Sequence, residues 1–532
     1  MDSEDDFFEP DFLPTIAYNL RMSRCYLTTA IDYASAPPHM GHVMEKILAD
    51  VCARWMRLRG DEVRFQIGMD EHGVKVQRAA AKAGVDPQAF VDRFATLYED
   101  LYGRLNISSD FFIRTTDRAR HWPTVQALWK KLGENGALEK RSYTGLYCQG
   151  CERFLTARDL QDGVCPIHQS KPEEVTESNW FFLLQREGDW LKKLLADEQG
   201  YKIVPDNRAP ETLSLIEQGL EDVSFSRPKS SLSWGIPVPD DDEQTMYVWC
   251  DALTNYISGL GYFTAKQESD FWEGAEVTHV IGKDIARFHA LIWPAMLKNA
   301  GLDVPPPHRL LIHGFLTSEG QKMSKTIGNV VQPEDVLTHF GGNPDPLRFY
   351  LSHEIPVGND GDFSWKRIDE IYDSRLRNQL GNLLNRVLVL LKKEGGQIDC
   401  GEVSLFLNGD DAWEKFSAAM DSFDLSHAIG QAFAWVALCN EYIDQKKPWG
   451  KESPNRKEVL SVLAENLRHI TLMILPFVPQ TAQEMARQLG LPCSERMLEK
   501  DFVITKDMKE WGGEKGWKHV GEPKILFAPL EK

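Results

Sequence analysis

The chain has 532 residues, too many for one hydrophobic core, so roughly two to four domains are expected. Hydrophobic content of 42% and charged content of 26% match an ordinary globular protein and exclude a disordered or fibrous chain. No apolar run approaches the roughly 20 residues that span a bilayer. A net charge of −19 argues against indiscriminate nucleic-acid binding, although a local basic groove can sit on an acidic protein.

Residues 1–23 read as an acidic lead. The start, MDSEDDFFEP, lacks the basic opening of a signal peptide and the Arg-rich character of a transit peptide, so a cytoplasmic location is expected. Of the nine cysteines, Cys25, Cys52, Cys250, Cys400, Cys439 and Cys493 are dispersed, which argues against a disulfide framework.

Residues 24–138 alternate strand and helix, as the first half of a Rossmann-type parallel sheet. A strand over 26–31 runs into a small-residue turn and a helix over 41–59, opened by His39-Met40-Gly41-His42. Such a turn leaves backbone N–H groups facing an anion, and Gly41 lets a ligand approach the backbone. His39 and His42, three apart, share one side of the first turn and can donate to phosphate oxygens. The blander reading is a strand-to-helix turn with incidental histidines. A second strand, 62–68, leads to Asp70, which suits either an ammonium group or a helix N-cap, and then to a helix over 74–83.

Residues 139–238 form an insertion. Cys148-Gln149-Gly150-Cys151 and Cys165-Pro166-Ile167-His168 are two pairs of ligands spaced i, i+3. The set matches one tetrahedral structural Zn2+ site with no open position; the alternative is unmetallated cysteines.

Residues 239–310 supply the second half of the sheet. The expected strands are 246–249, before Asp251 to Tyr256, and 277–281, before Gly282-Lys283-Asp284-Ile285. Asp284, just past a strand, can accept from ribose hydroxyls. Trp249, Tyr256, Phe288 and His289 fall near the same strand ends, as pocket walls or as core. Residues 311–365 link onward: a strand over 310–316 feeds the loop Lys322-Met323-Ser324-Lys325-Thr326, whose lysines and hydroxyls can clamp polyphosphate or simply be solvated.

Residues 366–532 read as an all-α bundle, with helices over 366–394, 409–421, 424–446, 455–474 and 477–489, then a short strand-like return over 521–530. Asn382 and Arg386 share a helix face. Trp449, beside Pro448, is either a base-stacking platform or a packing residue. Basic residues crowd 375–386 and 446–457, as a tRNA surface or as solvated helix faces.

Together and in this order, HMGH and KMSKT resemble the HIGH and KMSKS signatures of class I aminoacyl-tRNA synthetases. With YLTTAIDYASAPPHMGH, GMDEHG, CQGC and CPIH, YVWCDALTNY, IGKDIARFH, LGNLLNR and KKPW, the chain resembles the methionyl-tRNA synthetase family from about residue 24 onward. The resemblance implies an α/β Rossmann-type catalytic domain with a zinc-knuckle insertion, followed by a helix-bundle anticodon-binding domain. It implies that Mg-ATP and methionine yield methionyl-adenylate, and that the methionyl group then passes to the 3′-terminal adenosine of initiator and elongator tRNA(Met). His39, His42, Lys322 and Lys325 would stabilise the pentavalent phosphate. Gly41 and the loop residues Met323, Ser324 and Thr326 would also meet ATP, and Asp284 would hold the ribose. Asp70 would bind the methionine ammonium, and Arg227 would order the carboxylate. Ala30, Ile31, Tyr33, Trp249, Ala252 and Leu253, with Tyr256, Ile285 and His289, would enclose the thioether. Asn382, Arg386 and Trp449 would read the CAU anticodon.

The rivals fit less well. Leucine, isoleucine and valine enzymes carry a larger editing insertion. A non-catalytic tRNA-binding paralogue should have lost His39, His42, Lys322 or Lys325. A small nucleotidyltransferase leaves the bundle unexplained. A monomer is the default, because no further tRNA-binding or dimerisation domain follows.

Overall fold

The computed structural model describes residues 23–149, 153–155, 159–167, 169–197, 199–305, 308–322, 329–398, 409–450, 455–514 and 516–530. The acidic lead up to residue 22, Cys151, His168 and Met323 to Thr326 lie outside the described residues, and of Lys322 only the backbone is described.

The expected parallel sheet is present, with seven strands. Across it run Asp32–Tyr33, Glu62–Asp70, Arg24–Thr29, Glu276–Gly282, His308–His313 and Tyr201–Val204, with Phe111–Arg114 paired to Glu62–Asp70. Arg24–Thr29 reads as a continuous apolar run because both faces are covered; all but its first residue are buried. It lies between Glu62–Asp70 and Glu276–Gly282. The chain therefore diverges to either side of it, and a crevice opens at the carboxyl ends of these strands.

The helix that follows, Met40–Leu58, is buried on almost every side, between the sheet and the helical domain. It ends where Gly60 takes a φ of +101°, a conformation a side chain would strain.

Several sequence expectations need correction. The run over 246–249 is not a strand of the parallel sheet. Asp241–Met246 instead pairs antiparallel with Ser226–Pro228 and Pro237–Val238, and Val248–Leu253 is a helix. Periodicity cannot divide so short an apolar run between strand and helix. The four-residue strand Tyr201–Val204, inside the stretch read as insertion, pairs in parallel with His308–His313 at the sheet edge. The strand expected over 310–316 stops at His313, because Gly314 presses on residue 359: a Cβ there would sit 2.0 Å from the Asn359 carbonyl oxygen.

The insertion itself is a four-stranded antiparallel sheet in the order Arg153–Leu155, Leu138–Cys148, Glu173–Phe182, Val223–Ser224. Beyond the catalytic sheet, one long helical run covers Trp365–Lys393, its middle, Tyr372–Gly381, wound as a π-helix. Helices Gly409–Asp421, Leu425–Lys446, Arg456–Ile474 and Pro479–Leu489 complete the bundle. Leu380, Leu383, Leu384, Val387 and Leu391 form the expected buried stripe. Residues 521–530 contain no strand; the segment packs back on the bundle, with Gly521 N–H donating to the Gln488 carbonyl at 2.9 Å and Tyr372 Oη to the Ala528 carbonyl at 2.7 Å.

The two domains share a buried joint. Arg348, fully enclosed, pairs with Asp50 of the Met40–Leu58 helix at 2.7 Å and donates to the carbonyls of Pro476 and Phe477 at 3.0 and 2.8 Å. The helix that begins at His39 is thus bonded directly to the bundle.

Candidate active site

The turn from Ala30 to His42 opens the site. Ala30 N–H continues the sheet by donating to the Val280 carbonyl at 3.0 Å, and Ala34 N–H donates to the Asp70 carbonyl at 2.9 Å. The chain then enters the helix with His39 as its N-cap. His39 Nδ1 accepts from Gly41 N–H at 3.1 Å, and His42 Nδ1 accepts from His39 N–H at 3.2 Å. With each Nδ1 an acceptor, the network assigns the proton of each neutral ring to Nε2. The rings stack with centroids 3.8 Å apart. A Cβ at residue 41 would lie 2.9 Å from His39 Cε1, so glycine makes room for the histidine ring as well as for a ligand. Burial, the neighbouring His39 and Lys46 hold the His42 imidazole well below its usual pKa, so it serves as a neutral donor.

Above this turn is a cavity of about 1090 Å³. The structure brings fourteen of the residues anticipated from sequence to its wall. His39, Gly41 and His42 form one end. Ala30, Ile31 and Tyr33 contribute the strand end, and Asp70 ends the neighbouring strand. Trp249, Ala252, Leu253 and Tyr256 come from the 248–258 helices, and Asp284, Ile285 and His289 from the segment after Glu276–Gly282.

The apolar half has one polar pair. Tyr256 Oη lies 2.6 Å from His289 Nε2, and His289 Nδ1 lies 3.1 Å from the Ile285 carbonyl. The carbonyl can only accept, so Nδ1 carries the hydrogen and Nε2 accepts from the phenol. His289 sits in a π-turn, Phe288–Ile292, which aims its ring inward. Burial lowers its pKa to about 4 and pushes the Tyr256 phenol well up, so both are neutral. Trp249 stacks on Phe288 with centroids 3.6 Å apart, closing this side.

The cavity is also lined by Asp284, His313, Phe315 and Leu316, with Asp360 paired to Lys283 at 2.7 Å. Burial raises the Asp284 carboxyl above the usual carboxylate range. Lys322 pairs with Thr317 through the short strand Gln321–Lys322, which brings the base of the lysine loop to this end.

Sequence reasoning missed the charges beneath the cavity. Lys46, fully buried, donates to Asp32 at 2.7 Å, to Glu45 at 2.7 Å and to the Ala30 carbonyl at 3.0 Å. Asp32 also accepts from Tyr102 Oη at 2.6 Å, and Glu45 from His313 Nε2 at 3.0 Å. Burial raises the Asp32 carboxyl to about 6 despite the pull of Lys46, whereas Glu45, held by Lys46 and His313, stays below its usual value. An amphipathic reading turns Glu45-Lys46 toward solvent, and only the second covering layer buries it. Also missed was Asp251, bonded to His72 Nδ1 and His121 Nε2, each at 2.6 Å, with His121 Nδ1 2.7 Å from Ser258 Oγ. Burial opposes its charge, but the two imidazoles prevail and hold the carboxyl below its usual range.

Arg227 does not line this cavity. It is buried, donates to Ser224 Oγ and the Ser226 carbonyl, and lies over Tyr247 at 4.6 Å. It lines a second cavity of about 410 Å³ between the insertion and Phe288, not the main one. The antiparallel strand Ser226–Pro228 turns it toward the insertion, an orientation that periodicity does not encode.

In the insertion, Cys148 and Cys165 are both buried in one small cluster with Leu155. Two buried thiols brought together in a sheet corner with few apolar neighbours suit a structural Zn2+ ion, whose other expected ligands, Cys151 and His168, lie outside the described residues. No group of three metal donors occurs among the described residues. Pro166 and Ile167, between two expected ligands, line the main cavity.

On the helical domain, Arg386 bonds Asp444 at 2.6 Å and lies 4.9 Å above the Trp449 ring, which is 47% exposed. Asn382 opens the last segment of the same long helix.

Comparison with known proteins places the whole chain. The family described as tRNA synthetases class I (M) matches residues 25–171 and 155–388, and an anticodon-binding domain of tRNA ligases matches 410–520. A methionine–tRNA ligase of Caldanaerobacter subterraneus is 40% identical over 95% of this chain and 79% of its own length. That of Brucella suis is 40% identical over 88% and 92%. A Mycobacterium tuberculosis methionyl-tRNA synthetase, solved with methionyl-adenylate, superposes with a TM-score of 0.86 at 33% identity, covering 95% of this chain and all of that one.

Proposed function

The chain belongs to the methionyl-tRNA synthetase family of class I tRNA synthetases, and on that premise we propose how its residues divide the work of a methionine–tRNA ligase. The enzyme activates methionine with ATP and transfers it to tRNA. In the first step a methionine carboxylate oxygen attacks the α-phosphorus, the bond from that phosphorus to the α,β-bridging oxygen breaks, and pyrophosphate leaves. In the second, a hydroxyl of the 3′-terminal adenosine attacks the methionyl carbonyl and AMP leaves.

The observation that carries the assignment is one cavity holding two different ends: the neutral donors His39 and His42 at one, and a polar pair inside aromatic walls at the other. Both Nε2–H groups of the histidines donate to the α-phosphate region, most strongly as negative charge grows in the pentavalent state. Lys322 and Lys325, with Met323, Ser324 and Thr326, close on the leaving pyrophosphate, and ATP enters as its magnesium complex. Asp284 accepts from the ribose. Asp70, at the strand end, receives the methionine ammonium. The thioether lies against Trp249, Ala252, Leu253 and Ile285, and the oxygen of Tyr256, whose hydrogen is committed to His289, faces the sulfur. Soft apolar walls with one polar contact suit a polarizable, weakly hydrogen-bonding side chain.

We further propose that Cys148, Cys151, Cys165 and His168 hold one Zn2+ as a structural clip. Four protein ligands leave it no open position, so its contribution is to keep Pro166 and Ile167 at the cavity wall. Asn382, Arg386 and Trp449 take the CAU anticodon of initiator and elongator tRNA(Met), bases stacking on the exposed indole. The acting species is a monomer in the cytoplasm, the compartment of translation.

ATP–pyrophosphate exchange against methionine, leucine, isoleucine, valine and cysteine tests the reading. Exchange that requires methionine alone supports the pocket. Exchange with another amino acid refutes the pocket and keeps the fold, and no exchange from zinc-replete folded protein favours a non-catalytic tRNA-binding role.

A further inference from the structure

Five carboxylates line the main cavity: Asp32, Glu45, Asp70, Asp284 and Asp360. A triphosphate must enter this space, so the negative wall needs to be offset. Asp360 is paired with Lys283, outside the apolar half. Asp32 and Glu45 lie directly under the His39–His42 turn, and the cation that meets both is Lys46, at 2.7 Å from each. Its ammonium is entirely enclosed and makes three bonds, so it has no donor left for a ligand.

His313 extends the set. Its Nε2 lies 3.0 Å from the Glu45 carboxylate and its Nδ1 lies 2.8 Å from the Gly314 carbonyl. Asp32, Lys46, Glu45 and His313 thus form one hydrogen-bonded chain. It joins three segments: the strand end at Ala30–Tyr33, the helix opened by His39, and the end of His308–His313.

We propose that Lys46 is a positioning residue for ATP: it masks Asp32 and Glu45 so that the phosphate chain can lie over the His39–His42 turn. A second consequence concerns His42. Its Nε2 is 4.0 Å from the Asp32 oxygen that Lys46 holds. With Lys46 in place that oxygen is engaged, and the Nε2–H stays available to a phosphate. Without it, Asp32 draws the imidazole to itself and puts an unmasked charge where the phosphate belongs. The methionine ammonium, being a cation, suffers no such repulsion. The inference rests on the reading that the half lined by Asp284 and His313 takes the nucleotide.

The test is methionine-dependent ATP–pyrophosphate exchange with KM measured for each substrate. Lys46→Met should raise KM for ATP by on the order of tenfold and leave KM for methionine within about twofold, because one unmasked charge acts on the anion alone. The double variant Asp32→Asn/Lys46→Met removes one charge of each sign and should return KM for ATP most of the way. It does not restore the bond to Ala30, so recovery separates charge from tethering. If Lys46→Met does not fold, Asp32→Asn carries the test alone, with KM for ATP expected at or below that of the parent protein. Equal rises for ATP and methionine, no rise for either, no recovery in the double variant, or a rise for ATP in Asp32→Asn would each overturn the proposal. Absence of exchange in the parent protein would instead sink the activation reading on which it stands.

Discussion

Tyr256 donates its phenolic hydrogen to Nε2 of His289 at 2.6 Å, and His289 is itself oriented by the Ile285 carbonyl. Two polar groups from different segments are thereby locked into single orientations inside an apolar pocket. Tyr256→Phe leaves Nε2 buried without its donor, a loss of about 1–3 kcal/mol. We expect kcat/KM for methionine in exchange to fall between about tenfold and a hundredfold, with KM for ATP little changed. An unaltered methionine KM would remove the pair from the binding site.

The buried imidazoles predict acid sensitivity. Burial lowers His289 to about 4 and His308 to about 3. Unfolded histidines titrate near about 6.5, so the unfolded chain takes up protons first as the pH drops. The stability that depends on keeping these rings neutral is complete above about pH 6.5 and is lost as pH falls toward 4, by about 1.4 kcal/mol per unit for each ring. Urea unfolding at pH 7 and pH 5 measures the slope. Neither nitrogen of His308 has a hydrogen-bond partner among the described residues, and its ring stacks on Tyr201. His308→Phe should therefore keep stability at pH 7 and flatten the acid limb.

Asp251 is enclosed between His72 and His121, and the same short helix carries Trp249 and Ala252 of the pocket. His72 follows Asp70 by two residues. Asp251→Asn breaks a buried charged network, at a cost of about 3–5 kcal/mol. Thermal unfolding should register that loss. Asp251→Ala should cost at least as much, and a change within about 0.5 kcal/mol would show that the network is not under load.

Cys148→Ser or a strong chelator should loosen the knuckle, because binding of structural zinc is coupled to local folding. Proteolysis near residues 150–168 should accelerate, and exchange should fall as Pro166 and Ile167 leave the cavity wall. Zinc content near zero in freshly purified, active protein would contradict the metal assignment.

Trp449→Ala tests the distal site. Stacking of a base on an aromatic side chain contributes about 1–3 kcal/mol. Charging of tRNA(Met) should drop by roughly fivefold to 150-fold in kcat/KM, while exchange in the absence of tRNA stays at the parent rate.

Much of the site was legible because its signals are local. His39, Gly41 and His42 belong to one helix turn, Asp70 ends a strand, Asp284 lies just past the end of another, and Trp249 to Tyr256 span two turns of helix. Each pattern follows from short-range backbone geometry, and the fold then carries these residues to one cavity. The helix bundle was equally readable, since its apolar repeats persist over several turns.

The misreadings share one cause. The run 246–249 depends on strands that pair across the insertion, and Tyr201–Val204 is too short to declare its partner. Lys46 sits in a helix whose charged residues, read alone, belong outside.

The sequence by itself determined the alternation of elements, the strand-to-helix turn at His39 and the bundle, because periodicity, capping and turn chemistry act over a few residues. Only the tertiary structure decided which charges are buried and against what. Lys46 meets Asp32 14 residues away, and Glu45 meets His313 268 residues away. Such pairings are set by layers closing over one another, and the energy of a buried charge depends on that enclosure, which no local pattern records.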